Sequence, residues 1–246
     1  KAGGSWYFIA GDESGQNMIM RMNGYTPQRV SDHSVEYAMH RMTTTEDAIG
    51  WSYQENGHVF YVLYFQAADQ TWCYDVSVDQ WHQRTWFDMN TSVEHAHRGY
   101  CAAAAFGKVL VGDRADGRIY EQSMSFLDDG SNNLIRRTRR APCIDEELIG
   151  VVHGNFILDG SMGIGVDGVS DVEDARYDPK AMLHFSNNGG KTFGTEHWRG
   201  FGQVGDYGRR AVWRALGFAR RRVYELVVTA PVDWAITNCY VNMKIG

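Results

Sequence analysis

Proline is scarce, four residues in 246, and the four cysteines, Cys73, Cys101, Cys143 and Cys239, never form a C-x-x-C pair. That spacing suggests neither a zinc knuckle nor a dense disulfide framework, so the thiols are expected to be free and buried. No apolar run approaches the roughly 20 residues a membrane helix needs, and a soluble protein is expected. The start, KAGGSWYFIAG, lacks the basic, apolar and small-residue order of a signal peptide. It also lacks an initiator Met, which suggests a processed product or the ordered part of a longer chain. A basic excess is missing as well. The formal charge of −6 argues against a protein whose main task is to coat nucleic acid.

Aromatic residues are abundant. They make up 13% of the chain, with eight Trp and thirteen Tyr, and overall hydrophobic content is 43%, enough for a sizeable core. Aromatic and β-branched side chains pack well on a pleated surface, so the composition points to sheets. Four stretches share one layout of apolar strand, short polar turn and aromatic-bearing strand. They begin at Gly4, Gly57, Tyr100 and Lys180. In the clearest, Gly57 to Trp86, Val59, Tyr61, Leu63 and Phe65 alternate with Phe60, Val62 and Tyr64. Both sets are apolar, as in a strand covered on both faces. The first three units recur at about 45 residues, the length of a propeller blade. The expected fold is all-β: a β-propeller-like array of antiparallel meander blades in a single domain over 1–246, with approximate units 1–47, 48–97, 98–140, 141–200 and 201–246. The stretch from Leu134 to Asp178 interrupts the repeat. Helical periodicity is scarce: Ser31 to Asp47 has room for one or two helical turns, but its Met and His positions keep no steady period.

The turn in LHFSNNGGKTFGTEHW fits S-x-N-x-G-x-T-F and resembles the Asp-box of sialidase-like propellers. Ser186 and Asn188 are placed to bond backbone N–H groups, Gly190 to take a positive φ, Thr192 to start a strand and Phe193 to plug the core. In families with this box it supports the fold and lies away from any catalytic centre.

Met182 to Val232 resembles the C-terminal signature of the packaged-DNA stabilization proteins of short-tailed bacteriophages, the tail accessory or hub proteins. Segments from Ala48, from His97 and from Ile135 (IRRTRRAP) resemble the same family in the same order. Two features depart from it: the family's considerable N-terminal part is not present, so the array is expected to be incomplete, and SNNGG replaces a more acidic turn. The resemblance implies a structural protein of the virion tail, assembled in the host cytoplasm. It is expected to form a ring of copies, typically six, below the portal and its adaptor, to help retain DNA and to anchor a needle, spike or fibres. No catalysis and no cofactor are implied. The alternative reading is a glycan-binding or glycan-hydrolysing sialidase-like propeller.

Several residue groups invite other chemistry. His95, His97 and Cys101 form H-x-H-x-x-x-C, but no fourth ligand is evident, and stacking or hydrogen bonding at a blade edge is the favoured reading. The basic runs Arg136, Arg137, Arg139, Arg140 and Arg220, Arg221, Arg222, with Arg209 and Arg210, suit phosphate or carboxylate equally. In an acidic chain they read as assembly contacts, and any DNA contact as independent of sequence. Asp206, Tyr207, Arg209 and Arg210 in GDYGRR are the nearest approach to the Tyr and Arg site of a glycosidase, without a convergent acid, base and pocket. Trp81, Trp86 and Trp198 are candidates for stacking on sugars, against a core role. Gly160 to Gly165 has the wrong spacing for a dinucleotide loop, and Asp167, Asp171, Glu173 and Asp174 lack EF-hand order.

Overall fold

The computed structural model describes residues 1–130, 133–145 and 149–245. The chain, expected from its repeats to form one array, gathers into two compact units, Lys1–Phe126 and Leu127–Gly246.

The first unit contains three antiparallel meander sheets. One holds β1 (Tyr7–Gly11), β2 (Asn17–Asn23) and β3 (Thr26–Arg29). The second holds β4 (Ala48–Glu55), β5 (His58–Phe65), β6 (Gln70–Asp75), β7 (Gln80–Asp88) and β8 (Val93–Ala96). The third holds β9 (Gly99–Ala105), β10 (Lys108–Asp113) and β11 (Ile119–Gln122). Strand β5 explains their stacking. Tyr61, Leu63 and Phe65 pack with Ile19, Tyr7 and Ile9 of the first sheet, while Val62, Trp51 and Cys73 pack with Val111, Val109 and Ala102 of the third. A strand apolar on both sides is thus covered on both sides. The stack is open: among the described residues, no strand pairs the first sheet with the third.

Helix α1 (His33–His40) fills the one helical place the sequence suggested. Asp32 caps it by accepting from the Val35 N–H at 2.9 Å, and Val35 and Met39 enter the core between the first two sheets. The hairpins close tightly. Asn56–Gly57 and Phe106–Gly107 each carry two positive φ values, the signature of a type I′ turn. Asp69 and Asp79, in the related turns AADQ and SVDQ, also lie in the left-handed region.

The second unit is a two-sheet sandwich. One sheet runs β12 (Arg137–Arg140), β18 (Arg221–Val228), β15 (Lys180–Ser186), β16 (His197–Gly200), with β13 (Ile144–Asp145) also on β18. The other runs β17 (Ala211–Ala219), β14 (Val151–Gly160), β19 (Ile236–Ile245). Phe156, Leu158 and Trp213 from one sheet meet Leu183, Tyr224 and Leu226 from the other in a single core. The break in the repeat from Leu134 therefore falls where stacked meanders give way to a sandwich. Register slips between His153 and Asn155. Opposite that bulge, Ala215 takes φ 57° and Leu216 turns inward.

The cysteines are all free, but only Cys73 is buried; Cys101, Cys143 and Cys239 are exposed. The expectation of buried thiols fails for these three because their strands and loops have one face in water. Trp81 sits over Tyr74 at 4.9 Å and donates to the Val30 carbonyl at 2.7 Å, whereas Trp198 is exposed.

Trp213 is 1% exposed, donates to the His197 carbonyl at 2.6 Å and lies edge-on to Phe156. Trp213→Ala is expected to lower stability by about 3–5 kcal/mol, read from the midpoint of denaturant unfolding.

Candidate functional site

The turn after β15 is built by two side chains. Ser186 is buried; its hydroxyl donates to Asn188 Oδ1 at 2.7 Å and accepts from the Gly190 N–H at 2.9 Å. Asn188 Oδ1 also accepts from the Lys191 and Thr192 N–H groups, both at 3.0 Å, and its Nδ2 donates to Thr192 Oγ1 at 2.8 Å. Asparagine thus supplies the acceptor oxygen an aspartate would, and adds a donor, which accounts physically for the less acidic turn. Gly190 holds φ 90°, as the motif requires. Two details differ from expectation. Thr192 does not begin a strand, since β16 starts at His197, because the side-chain bonds hold 186–192 as a closed loop. Phe193 does not plug the core. It is half-buried beneath the Arg140 guanidinium, 4.8 Å from its ring.

The nine arginines separate into distinct roles. Arg140 donates from Nε and Nη2 to Glu225 across the strand pair, at 2.9 and 2.5 Å. Arg137 donates to the Val232 carbonyl at 2.8 Å, and Arg136 is half-buried and engaged. Arg221 lies 3.4 Å from Asp145, and its carbonyl accepts from the Gly189 N–H at 3.3 Å. Arg209 is held between Asp178 at 3.6 Å and Asp206 at 3.5 Å. Arg139, Arg210 and Arg220 are exposed, and their side chains have no bond or ion pair within the described residues. These three are free to meet another molecule.

Arg222 departs furthest from expectation. It is wholly buried, so it cannot reach a neighbouring chain. Its guanidinium lies over Phe185 at 4.4 Å and Tyr224 at 5.5 Å, and Nη2 donates to the Leu216 carbonyl at 2.9 Å. The bulge at Ala215–Leu216 aims that carbonyl. Nε and Nη1 find no acceptor among the described residues, and burial lowers the pKa of the group. His153 stands beside it, 1% exposed and 3.0 Å from the Tyr224 hydroxyl.

The remaining candidates do not converge. Asp206 and Asp178 both serve Arg209, and Asp178 accepts from the Gly202 N–H at 3.0 Å, a brace between loops. Tyr207 is 72% exposed. His95 bonds Asp69 at 2.7 Å, His97 accepts from the Gly99 N–H at 3.0 Å and lies against Trp51, and Cys101 is exposed on β9. Among the described residues no three His, Cys, Asp or Glu side chains gather as a metal set. Trp86 lies 6.0 Å from the His95 ring with the Arg98 guanidinium over it, and Asp174 pairs with Arg176. What sequence reasoning missed is Asp69, which accepts from His95, the Ala96 N–H and Arg114. Its only local signal is the DQ pair at a turn.

Asn188→Ala removes the acceptor of two backbone N–H groups and is expected to cost about 1–3 kcal/mol in chemical denaturation, with Asn188→Asp costing less. Burial, aided by the Arg222 charge, pushes His153 down from 6.5 to about 4. The unfolded chain takes up a proton there before the folded one does. The stabilisation is therefore complete above 6.5 and is lost as pH falls toward about 4. Unfolding free energy is expected to drop by about 1.4 kcal/mol per pH unit in that window, with His153→Phe flattening the slope.

Residues 1–125 match the family model described as bacteriophage P22 Gp10, β-propeller, and residues 136–244 the model described as bacteriophage P22 Gp10, β-sandwich. A search of curated proteins returned no match. Among solved structures, the chain is similar to the exo-β-1,3-galactanase of Phanerochaete chrysosporium with galactose, at 9% identity and TM-score 0.22, over 97% of this chain and 68% of that one. It is similar to a glycoside hydrolase at 10% identity and TM-score 0.21, over 95% and 69%. TM-scores this low do not establish a shared fold. The two family matches run in chain order and follow the division between stacked meanders and sandwich, so the chain belongs to the bacteriophage P22 Gp10 family, structural proteins of the virion that stabilise packaged DNA.

Proposed function

We propose that the chain acts as a tail hub by assembling with copies of itself into a ring, a hexamer on the family resemblance, below the portal and its adaptor. In this reading the ring helps to seal the channel over packaged DNA, stays in place until genome ejection, and offers its distal side to a needle, spike or fibres. Assembly takes place in the host cytoplasm. The carrying observation is the set of exposed guanidinium groups at Arg139, Arg210 and Arg220, unpaired among the described residues, on a chain of net charge −6. Such groups pair with carboxylates, and an acidic chain offers those on every copy. Arg139 lies on β12, which among the described residues pairs with β18 alone, leaving its other edge open there.

The role is geometric, with no bond made or broken. Covered sheets and a closed sandwich core are stiff, and many modest contacts repeated by symmetry add up to a stable seal. DNA meets the ring through phosphate charge, without base reading.

The test is the mass distribution of the purified chain by sedimentation velocity, with electron microscopy of the largest species. Arg139→Glu, Arg210→Glu and Arg220→Glu together are expected to shift the population to monomer while the melting temperature holds. Unchanged assembly in the triple variant would remove these arginines from the interface, and a chain monomeric at every concentration would remove self-assembly as its mode of action.

A further inference from the structure

In the first unit a cavity of about 580 Å3 opens among Tyr64, Gln66, Asp69, His95, Tyr100 and Arg114. Its size falls in the range that takes small molecules, about 300–1,000 Å3. The lining comes from four places in the fold: the end of β5 with its following turn, β8, β9, and the loop between β10 and β11.

The charges in this cavity are already balanced. Asp69 Oδ2 lies 2.7 Å from His95 Nδ1, and Asp69 Oδ1 accepts from the Ala96 N–H at 3.1 Å and from Arg114 Nη2 at 3.2 Å. Arg114 further donates to the His97 and Ala96 carbonyls and to the Tyr64 hydroxyl, and lies over the Tyr64 ring at 5.3 Å. Burial works to raise the Asp69 pKa, but the bonds from His95 and Ala96 and the Arg114 charge outweigh it and hold the carboxyl below its ordinary range. An ionised carboxylate only accepts, so His95 Nδ1 carries the hydrogen of that bond and Nε2 is left over.

This arrangement selects among ligands. A phosphate or carboxylate would meet the Asp69 charge, with the Arg114 guanidinium already committed to protein acceptors. A cation would meet Arg114 3.2 Å from the same carboxylate. A neutral molecule dense in hydroxyl groups meets neither penalty. Asp69 keeps unused lone pairs with 41% of its side chain exposed, His95 keeps Nε2 at 36% exposure, and Gln66 is exposed with both a donor and an acceptor. Tyr100, 43% exposed, offers an aromatic face to the C–H side of a pyranose ring.

We propose that this cavity binds a neutral saccharide, with Asp69, His95 and Gln66 bonding its hydroxyls and Tyr100 stacking on its ring. The activity is binding alone, and it is independent of the ring-assembly reading, which rests on the other unit.

The test uses the full chain and the methyl glycosides of glucose, galactose and mannose at millimolar concentration, read by saturation-transfer NMR. Transfer from at least one glycoside is expected, weakened roughly fivefold to tenfold in Tyr100→Ala. Gln66→Ala, at an exposed turn position, is expected to weaken it as well, so the result does not depend on variants of the tightly bonded Asp69. Arg139→Glu is expected to leave it unchanged. No transfer from any of the three glycosides overturns the proposal, as does transfer that survives both Tyr100→Ala and Gln66→Ala. Inorganic phosphate that perturbs the His95 ring resonances more strongly than any glycoside also overturns it, by making this an anion site.

Discussion

A strand that is apolar on both faces has no side to give to water, and β5 imposes this condition on the whole first unit. Tyr61, Leu63 and Phe65 need a partner sheet on one side and Val62 on the other, so sheets stack face to face instead of closing over a single core. The turns then have to be short, because each sheet must end where its neighbours end. The left-handed residues at Asn56–Gly57, Asp69, Asp79 and Phe106–Gly107 meet that need. Asp69 serves a second purpose there. Its carboxylate joins the β5–β6 turn to β8 and to the loop after β10, tying the middle sheet to the third at the rim of a polar cavity.

The second unit sorts its basic residues by depth. Glu225 takes Arg140, Asp145 takes Arg221, and the pair Asp178 and Asp206 takes Arg209, so three of the basic positions act as internal braces. Such partly exposed pairs contribute modestly to stability, and their value lies more in fixing loop geometry than in energy. Arg139, Arg210 and Arg220 are what remains for a partner. Family membership and this remainder point the same way, toward work done by contact within a virion.

Much of this was legible in the sequence where the signal is local. Double-faced alternation from Val59 to Phe65 gave a covered strand, SNNGG gave a turn closed by Ser186 and Asn188, and the short helix lies within Ser31 to Asp47, where one or two turns were expected despite the lack of a steady period. The pairing of β14 with β17 and β19 was not legible, because partners far apart in the chain leave no local mark. Nor could RRR disclose that Arg220, Arg221 and Arg222 would lie free, paired and buried in turn. Strand alternation puts neighbours on opposite faces, but which face is inside depends on a bulge across the sandwich that no residue type announces. The Asp69 node was invisible for a similar reason: its donors lie 26 to 45 positions downstream.

The bulge and the buried guanidinium together act as a key for alignment. If β18 slid by one position along β15, every side chain on it would change faces, and Arg222 would lose its place between the Phe185 ring and the Leu216 carbonyl. The sandwich therefore accepts this strand in one phase.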